Sequence, residues 1–213
     1  MKINKLGELE KTIVQHSSGS FPVIVLDTGG LIDIANAIRI YNVNYRNKTI
    51  SPIHKSTITF LKYLSEKTPI VITLKTYQEI KDHGRMWLNG HTLELFPETV
   101  DFALDIMNRS KQFCSGLDSG IEPDQARYDA HWASIEACNG NSKKSLEGCS
   151  DTDKEILSTV AYLSTSKIPG ATIKKIGPVL VISPDLHIIR GTEFLKRGFD
   201  DRYSNVVPIS TRH

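Results

Sequence analysis

Short apolar runs alternate with longer amphipathic stretches along this chain. Phe21-Pro22-Val23-Ile24-Val25-Leu26, Pro69-Ile70-Val71-Ile72 and Pro178-Val179-Leu180-Val181-Ile182 are unbroken apolar runs rich in β-branched residues. Runs of this kind read as strands buried on both faces. A terminal strand is expected at Asn205-Val206-Val207-Pro208-Ile209. Between the runs, apolar residues recur at helical spacing. Leu31 to Ala35 starts one helix, and Ile58, Leu61 and Leu64 mark the face of another. Thr73 opens a third, with Tyr77 and Ile80 on one side. Val100, Leu104 and Met107 predict a helix from Pro97 to about Phe113. Tyr128 to Cys138 reads as a further helix. Ser150-Asp151-Thr152-Asp153 opens a strongly patterned one that carries Ile156, Val160 and Leu163. After Ser183-Pro184-Asp185 a short helix is expected, interrupted near Gly191. Loops fall at Asn42 to Pro52, Cys114 to Pro123 and Asn139 to Lys144, where turn residues gather.

Alternation of strand and helix predicts an α/β fold with a parallel sheet covered on both faces. In such sheets, sites form beyond the carboxyl ends of the strands. Asp27 and Asp185 stand at or just past strand ends, and Glu79 and Asp153 lie early in helices that reach the same edge. Carboxylates there are costly unless something positive meets them. A hard divalent cation with oxygen ligands is the simplest partner. Each acid also has a structural explanation. Asp27-Thr28-Gly29-Gly30 is good turn chemistry. Thr76 to Glu79 and Ser150 to Asp153 both match the capping-box spacing. Asp185 suits a helix N-terminus electrostatically.

The 213 residues suit one domain with room for an insertion. Lys plus Arg number 26 and Asp plus Glu 24, a net charge of +2 that neither announces nor excludes a nucleic-acid partner. Neutralising four acids with metal leaves a more basic remainder. Cys114, Cys138 and Cys149 form no close pair, which argues against a disulfide framework. They fall near His131, but without Cys-x-x-Cys spacing they read as buried free thiols rather than a zinc site. Met1 to Ser20 carries no apolar stretch long enough for a signal peptide or membrane span, so a cytoplasmic setting is expected.

The order of the acids resembles that of the PIN-domain nucleases. Val-Ile-Val-Leu-Asp27-Thr28-Gly-Gly resembles their first motif, and Thr73-Leu-Lys-Thr-Tyr-Gln-Glu79-Ile their second. Ser150-Asp-Thr-Asp153-Lys-Glu-Ile-Leu resembles the third, in a style closest to archaeal and ribosomal-RNA-processing members. Val-Leu-Val-Ile-Ser183-Pro-Asp185 resembles the fourth. The resemblance runs over roughly residues 21 to 200. Two positions depart from it: Pro184 precedes Asp185 where relatives carry paired acids or Thr-Asp-Asp, and Gly191 stands where many carry Asn.

The resemblance implies a single three-layer α/β/α domain over residues 1–213, with a mostly helical insertion at about 84–148. It also implies a metal-dependent endoribonuclease acting mainly on single-stranded RNA, free or in a ribosomal precursor or other ribonucleoprotein, with homodimers common among relatives. Asp27, Glu79, Asp153 and Asp185 would hold Mg²⁺ or Mn²⁺, directly or through water, with Thr28, Ser183 and Asp151 in support. Carboxylates alone repel a phosphodiester, whereas carboxylates holding a divalent ion invert the local charge.

Arg39, Arg46, Lys48, Lys143, Lys144, Arg190, Lys196 and Arg197 are basic residues within reach of such a site, and scattered Lys and Arg are usually solvated surface. Tyr45, His83, Arg85 and Trp87 could stack on unpaired bases. His83, His91 and His131 have no acid at a telling spacing, and none is assigned as a general base. Competing readings are an RNA-binding domain that no longer cleaves and a toxin held off by a partner. A phosphatase using Asp27 is disfavoured by Gly29, where such families carry a second Asp.

Overall fold

The structure, a computed structural model, describes residues 21–31, 68–87, 96–115, 148–166, 176–198 and 203–211. Four strands form one sheet among them: β1 (Phe21–Leu26), β2 (Ile70–Val71), β3 (Ile176–Ser183) and β4 (Val206–Ser210). Their order is β2-β1-β3-β4, and every pairing is parallel. Four helices accompany them: α1 (Leu74–Trp87), α2 (Phe96–Ser115), α3 (Asp151–Thr165) and α4 (Leu186–Gly198). A further helix opens at residues 28–31.

Successive side chains of a strand point to opposite faces, and here both faces are apolar and buried. Ile24, Leu26, Leu180 and Ile182 turn to one face, where they pack with Ile80 of α1 and with Ala103, Ile106 and Met107 of α2. Val23, Val25, Val179 and Val181 turn to the other, against Ile156, Leu157 and Val160 of α3 and Ile188 and Leu195 of α4. The unbroken apolar runs are therefore the direct signature of a sheet with helices on both sides.

Several elements differ from the sequence expectation. β3 begins at Ile176, two residues early, because Phe21 pairs with both Ile176 and Gly177 ahead of the regular ladder. α2 runs on through Cys114 and Ser115 instead of breaking at Cys114. Its buried Ser110 donates to Ile70 O and accepts from Ile72 N, which ties the helix to β2. α1 runs to Trp87, and Ala103, Ile106 and Met107 of α2 pack into the core. α4 is not interrupted at Gly191. A Cβ on that glycine would lie 2.6 Å from Leu157 Cδ1, so Gly191 lets α4 approach α3 closely.

The loop at 42–52, the helical face of Ile58, Leu61 and Leu64, and the 128–138 helix lie outside the described residues. So do the 139–144 loop, Cys138, His91, His131 and Tyr45. No described helix is long and apolar enough to cross a membrane.

Candidate functional site

The β1–β3 ladder pairs Leu26 with Ile182 and so delivers Asp27 and Ser183 side by side at the carboxyl edge of the sheet. Ser183 Oγ donates to Asp27 Oδ2 at 2.7 Å and accepts from Asp185 N at 2.9 Å, linking the first and last acids through one hydroxyl. The chain must be narrow to permit this. A Cβ on Gly29 would lie 2.4 Å from Pro184 Cγ, and one on Gly30 would lie 2.5 Å from the Ile182 carbonyl oxygen. Pro184, the departure noted in the sequence, is thus the surface against which Gly29 packs.

Glu79 has lost its structural explanation. The expected capping box between Thr76 and Glu79 is not formed. Thr73 Oγ1 accepts from Thr76 N at 3.1 Å, and the two threonine hydroxyls are 2.9 Å apart. Glu79 reaches elsewhere: Oε2 accepts from Thr28 Oγ1 at 2.9 Å and Oε1 from Thr152 Oγ1 at 2.5 Å. The amide of Lys75, in the first turn of α1, is satisfied from α3 by Glu155 Oε2 at 2.9 Å.

Asp153 keeps its structural role and remains at the edge. The Ser150 capping box is complete, with Ser150 N donating to Asp153 Oδ2 at 2.8 Å and Asp153 N to Ser150 Oγ at 3.1 Å. Asp185 likewise caps α4, its Oδ1 accepting from His187 N at 2.6 Å. Each cap occupies one carboxylate oxygen. No described hydrogen bond uses Asp153 Oδ1 or Asp185 Oδ2.

The four acids feel one another. Burial pushes Asp27 up to about 6; bonds from Ser183 and Thr28 oppose that, and the charges of Glu79 and Asp153 add to it. Asp153 is raised as well, first by burial, with Asp185 adding repulsion while the Ser150 bonds and His187 relieve it. The Cys149 thiol, half-buried, is pushed up to about 11 by burial and then by Asp153 and Asp185. Among the described residues no ion pair meets Asp27, Glu79, Asp153 or Asp185.

All four sequence-chosen acids are therefore linked by direct bonds or by charge at one sheet edge, with Thr28 and Ser183 bonded to them. Asp151 stands apart: it is exposed and pairs with Lys75 at 3.6 Å and Lys154 at 3.9 Å, a surface role. Arg190, Lys196 and Arg197 are exposed on α4. Cys114 is a buried free thiol and Cys149 a half-buried one. Sequence reasoning missed Thr152 and His187. His187 carried a usable signal, since it follows Asp185 by two residues in the same first helical turn. Thr152 lies inside the Ser150-Asp-Thr-Asp153 motif, but that motif did not reveal its partner, which is 73 residues away.

An oxygen-only donor set, crowded with negative charge and relieved among the described residues by His187 at Asp153 alone, is of the donor type a hard divalent ion selects. As they stand, no three His, Cys, Asp or Glu side chains among the described residues are grouped closely enough to hold a metal ion directly. No protein-family model matches the chain, and neither the curated proteins nor the solved structures yield a match.

Proposed function

We propose that this chain is a PIN-like, metal-dependent endoribonuclease that hydrolyses phosphodiester bonds of single-stranded RNA. The observation that carries the reading is the convergence of the four acids at one sheet edge, where Ser183 joins Asp27 to Asp185 and Thr28 and Thr152 hold Glu79, with no ion pair to any of them among the described residues. Carboxylates whose charge is disfavoured by burial and like-charge neighbours, as Asp27 and Asp153 are here, mark a candidate functional site. The all-parallel order β2-β1-β3-β4, with helices on both faces, supports the same reading at the level of the fold.

A bound Mg²⁺ or Mn²⁺ ion supplies charge inversion and an activated water. The chain's part is to hold the oxygens. Ser183 orients Asp27, Thr28 and Thr152 orient Glu79, and the two cap bonds fix one oxygen each of Asp153 and Asp185. No three of these side chains among the described residues form a group that could hold a metal ion directly, so Asp27, Glu79, Asp153 and Asp185 would have to act on it partly through water. That looser grouping is the one observation favouring a second reading, an RNA-binding domain that does not cut.

The test uses labelled single-stranded RNA incubated with Mn²⁺, with and without chelator. Wild-type protein cleaves and the chelator stops it. Asp27→Asn lowers cleavage by a factor on the order of 10² or more while RNA is still bound. Cleavage by Asp27→Asn at the wild-type rate removes the nuclease assignment. RNA binding without cleavage by wild type establishes the second reading.

A further inference from the structure

We propose that the exposed face of α4 is the surface along which single-stranded RNA lies as it leaves the acid edge, with its phosphates on Arg190, Lys196 and Arg197 and a base on Leu186. The inference rests on the RNA-substrate part of the nuclease reading and makes no use of a metal ion.

α4 begins just beyond the end of β3, so its first residue stands at the carboxyl edge where the acids gather. Its inner face is taken up by the fold: Ile188 and Leu195 lie in the core, and Gly191 and Thr192 are buried. Leu186, Arg190, Glu193 and Arg197 fall at i, i+4, i+7 and i+11, which sets them on one stripe of the helix, and all four are exposed. Lys196 is exposed beside Arg197. At about 1.5 Å of rise per residue the stripe is roughly 16 Å long, enough to meet more than one phosphate. Leu186 is 45% exposed, an unusual place for a large apolar side chain in this fold. An apolar head beside the acids with cations beyond it matches a strand that has apolar base faces and an anionic backbone. The helix dipole accounts for Lys196 and Arg197 in the last turn. It does not account for Arg190, which lies mid-helix. Nor do the cations serve to neutralise Glu193. That acid lies three positions from Arg190 and four from Arg197, the spacings at which ion pairs form on a helix, yet among the described residues no ion pair joins them. Their charge is left for a partner from outside, and a polyanion complements it.

Binding of a labelled oligouridylate is measured in chelator over a salt series, for wild type and for R190Q, the double variant K196Q/R197Q, E193Q and L186S. Glutamine is a good helix former, so the charge variants keep α4. Each cation that meets a phosphate of a single strand steepens the fall of log affinity with log salt by about 0.7. R190Q therefore flattens the slope by about that amount, and the double variant by about twice as much. E193Q binds more tightly, because it removes a like charge from beside the phosphates. L186S weakens binding at every salt concentration and leaves the slope unchanged. K111Q is the control, removing the same charge from an exposed position of α2, which packs on the opposite face of the sheet. Unchanged slopes in the α4 variants, or an equal flattening in K111Q, overturn the α4 surface. They leave standing the nuclease reading, which is scored separately by cleavage with Mn²⁺. Wild-type protein that binds no oligouridylate overturns both the surface and the RNA part of that reading.

Discussion

Asp27 is a carboxyl in a place that disfavours its charge. Only 7% of it is exposed, and its pKa is raised from 3.8 to about 6. A folded value above the unfolded one means that folding favours the neutral acid. The associated stability, about 3 kcal/mol at most, is fully present below about pH 4 and lost as pH rises through about 6. Metal-free Asp27→Asn, which is neutral at every pH, should therefore be more stable than wild type at pH 7.5 by about 1–3 kcal/mol. The advantage should vanish at pH 4. Urea unfolding in chelator at the two pH values measures this, and a variant less stable than wild type at pH 7.5 refutes it. Asp153→Asn should gain less, because its carboxylate also accepts the Ser150 amide bond of the α3 cap. The acids were legible in the sequence because each lies at or just beyond the carboxyl end of an apolar run or early in the helix beyond one. What holds them was not. Glu79 bonds to residues 51 and 73 positions away, and no local spacing encodes such partners.

At the scale of elements, the strands and α3 could be read from periodicity alone, since burial on both faces and a complete cap leave plain marks. Glycine misled the reading where its cause was tertiary. Gly191 looked like a helix break, and it is a contact point between α4 and α3 instead. Gly30 poses the same problem more sharply. In a free helix, Ala in place of Gly gains about 1 kcal/mol of propensity. Here the new methyl would lie 2.5 Å from the Ile182 carbonyl, a backbone atom held in the sheet between β1 and β4. The oxygen cannot retreat without loosening β3, and overpacking of this kind costs about 1–3 kcal/mol or more. Sterics should win, so Gly30→Ala destabilises the protein, as a lowered denaturation midpoint will show. Equal or greater stability would mean that the helix opening at Thr28 sits farther from β3. Leu157→Ala, which empties a fully buried site under Gly191, should cost about 2–5 kcal/mol.

Across the whole molecule, a parallel sheet sends every strand's carboxyl end the same way, and that is why distant acids meet. The net charge of +2 conceals this concentration of negative charge at one edge. Folding thus gathers like charges that the unfolded chain keeps apart, and anything that binds the gathered group favours the folded state. A divalent ion at about one hundred times its dissociation constant should add ~2.7 kcal/mol to stability. For a chain of this size that raises the melting temperature by roughly 5–11 °C. The effect must depend on pH in a definite direction. Ligand carboxylates bind metal only when deprotonated, and Asp27 takes up its proton near pH 6. The Mn²⁺-induced shift should therefore be large at pH 7.5, smaller at pH 5.5, reversed by chelator and nearly absent in Asp27→Asn. Thermal unfolding with and without Mn²⁺ at the two pH values decides the matter. A shift that is the same at both, or that survives in Asp27→Asn, would place the ion elsewhere on the protein.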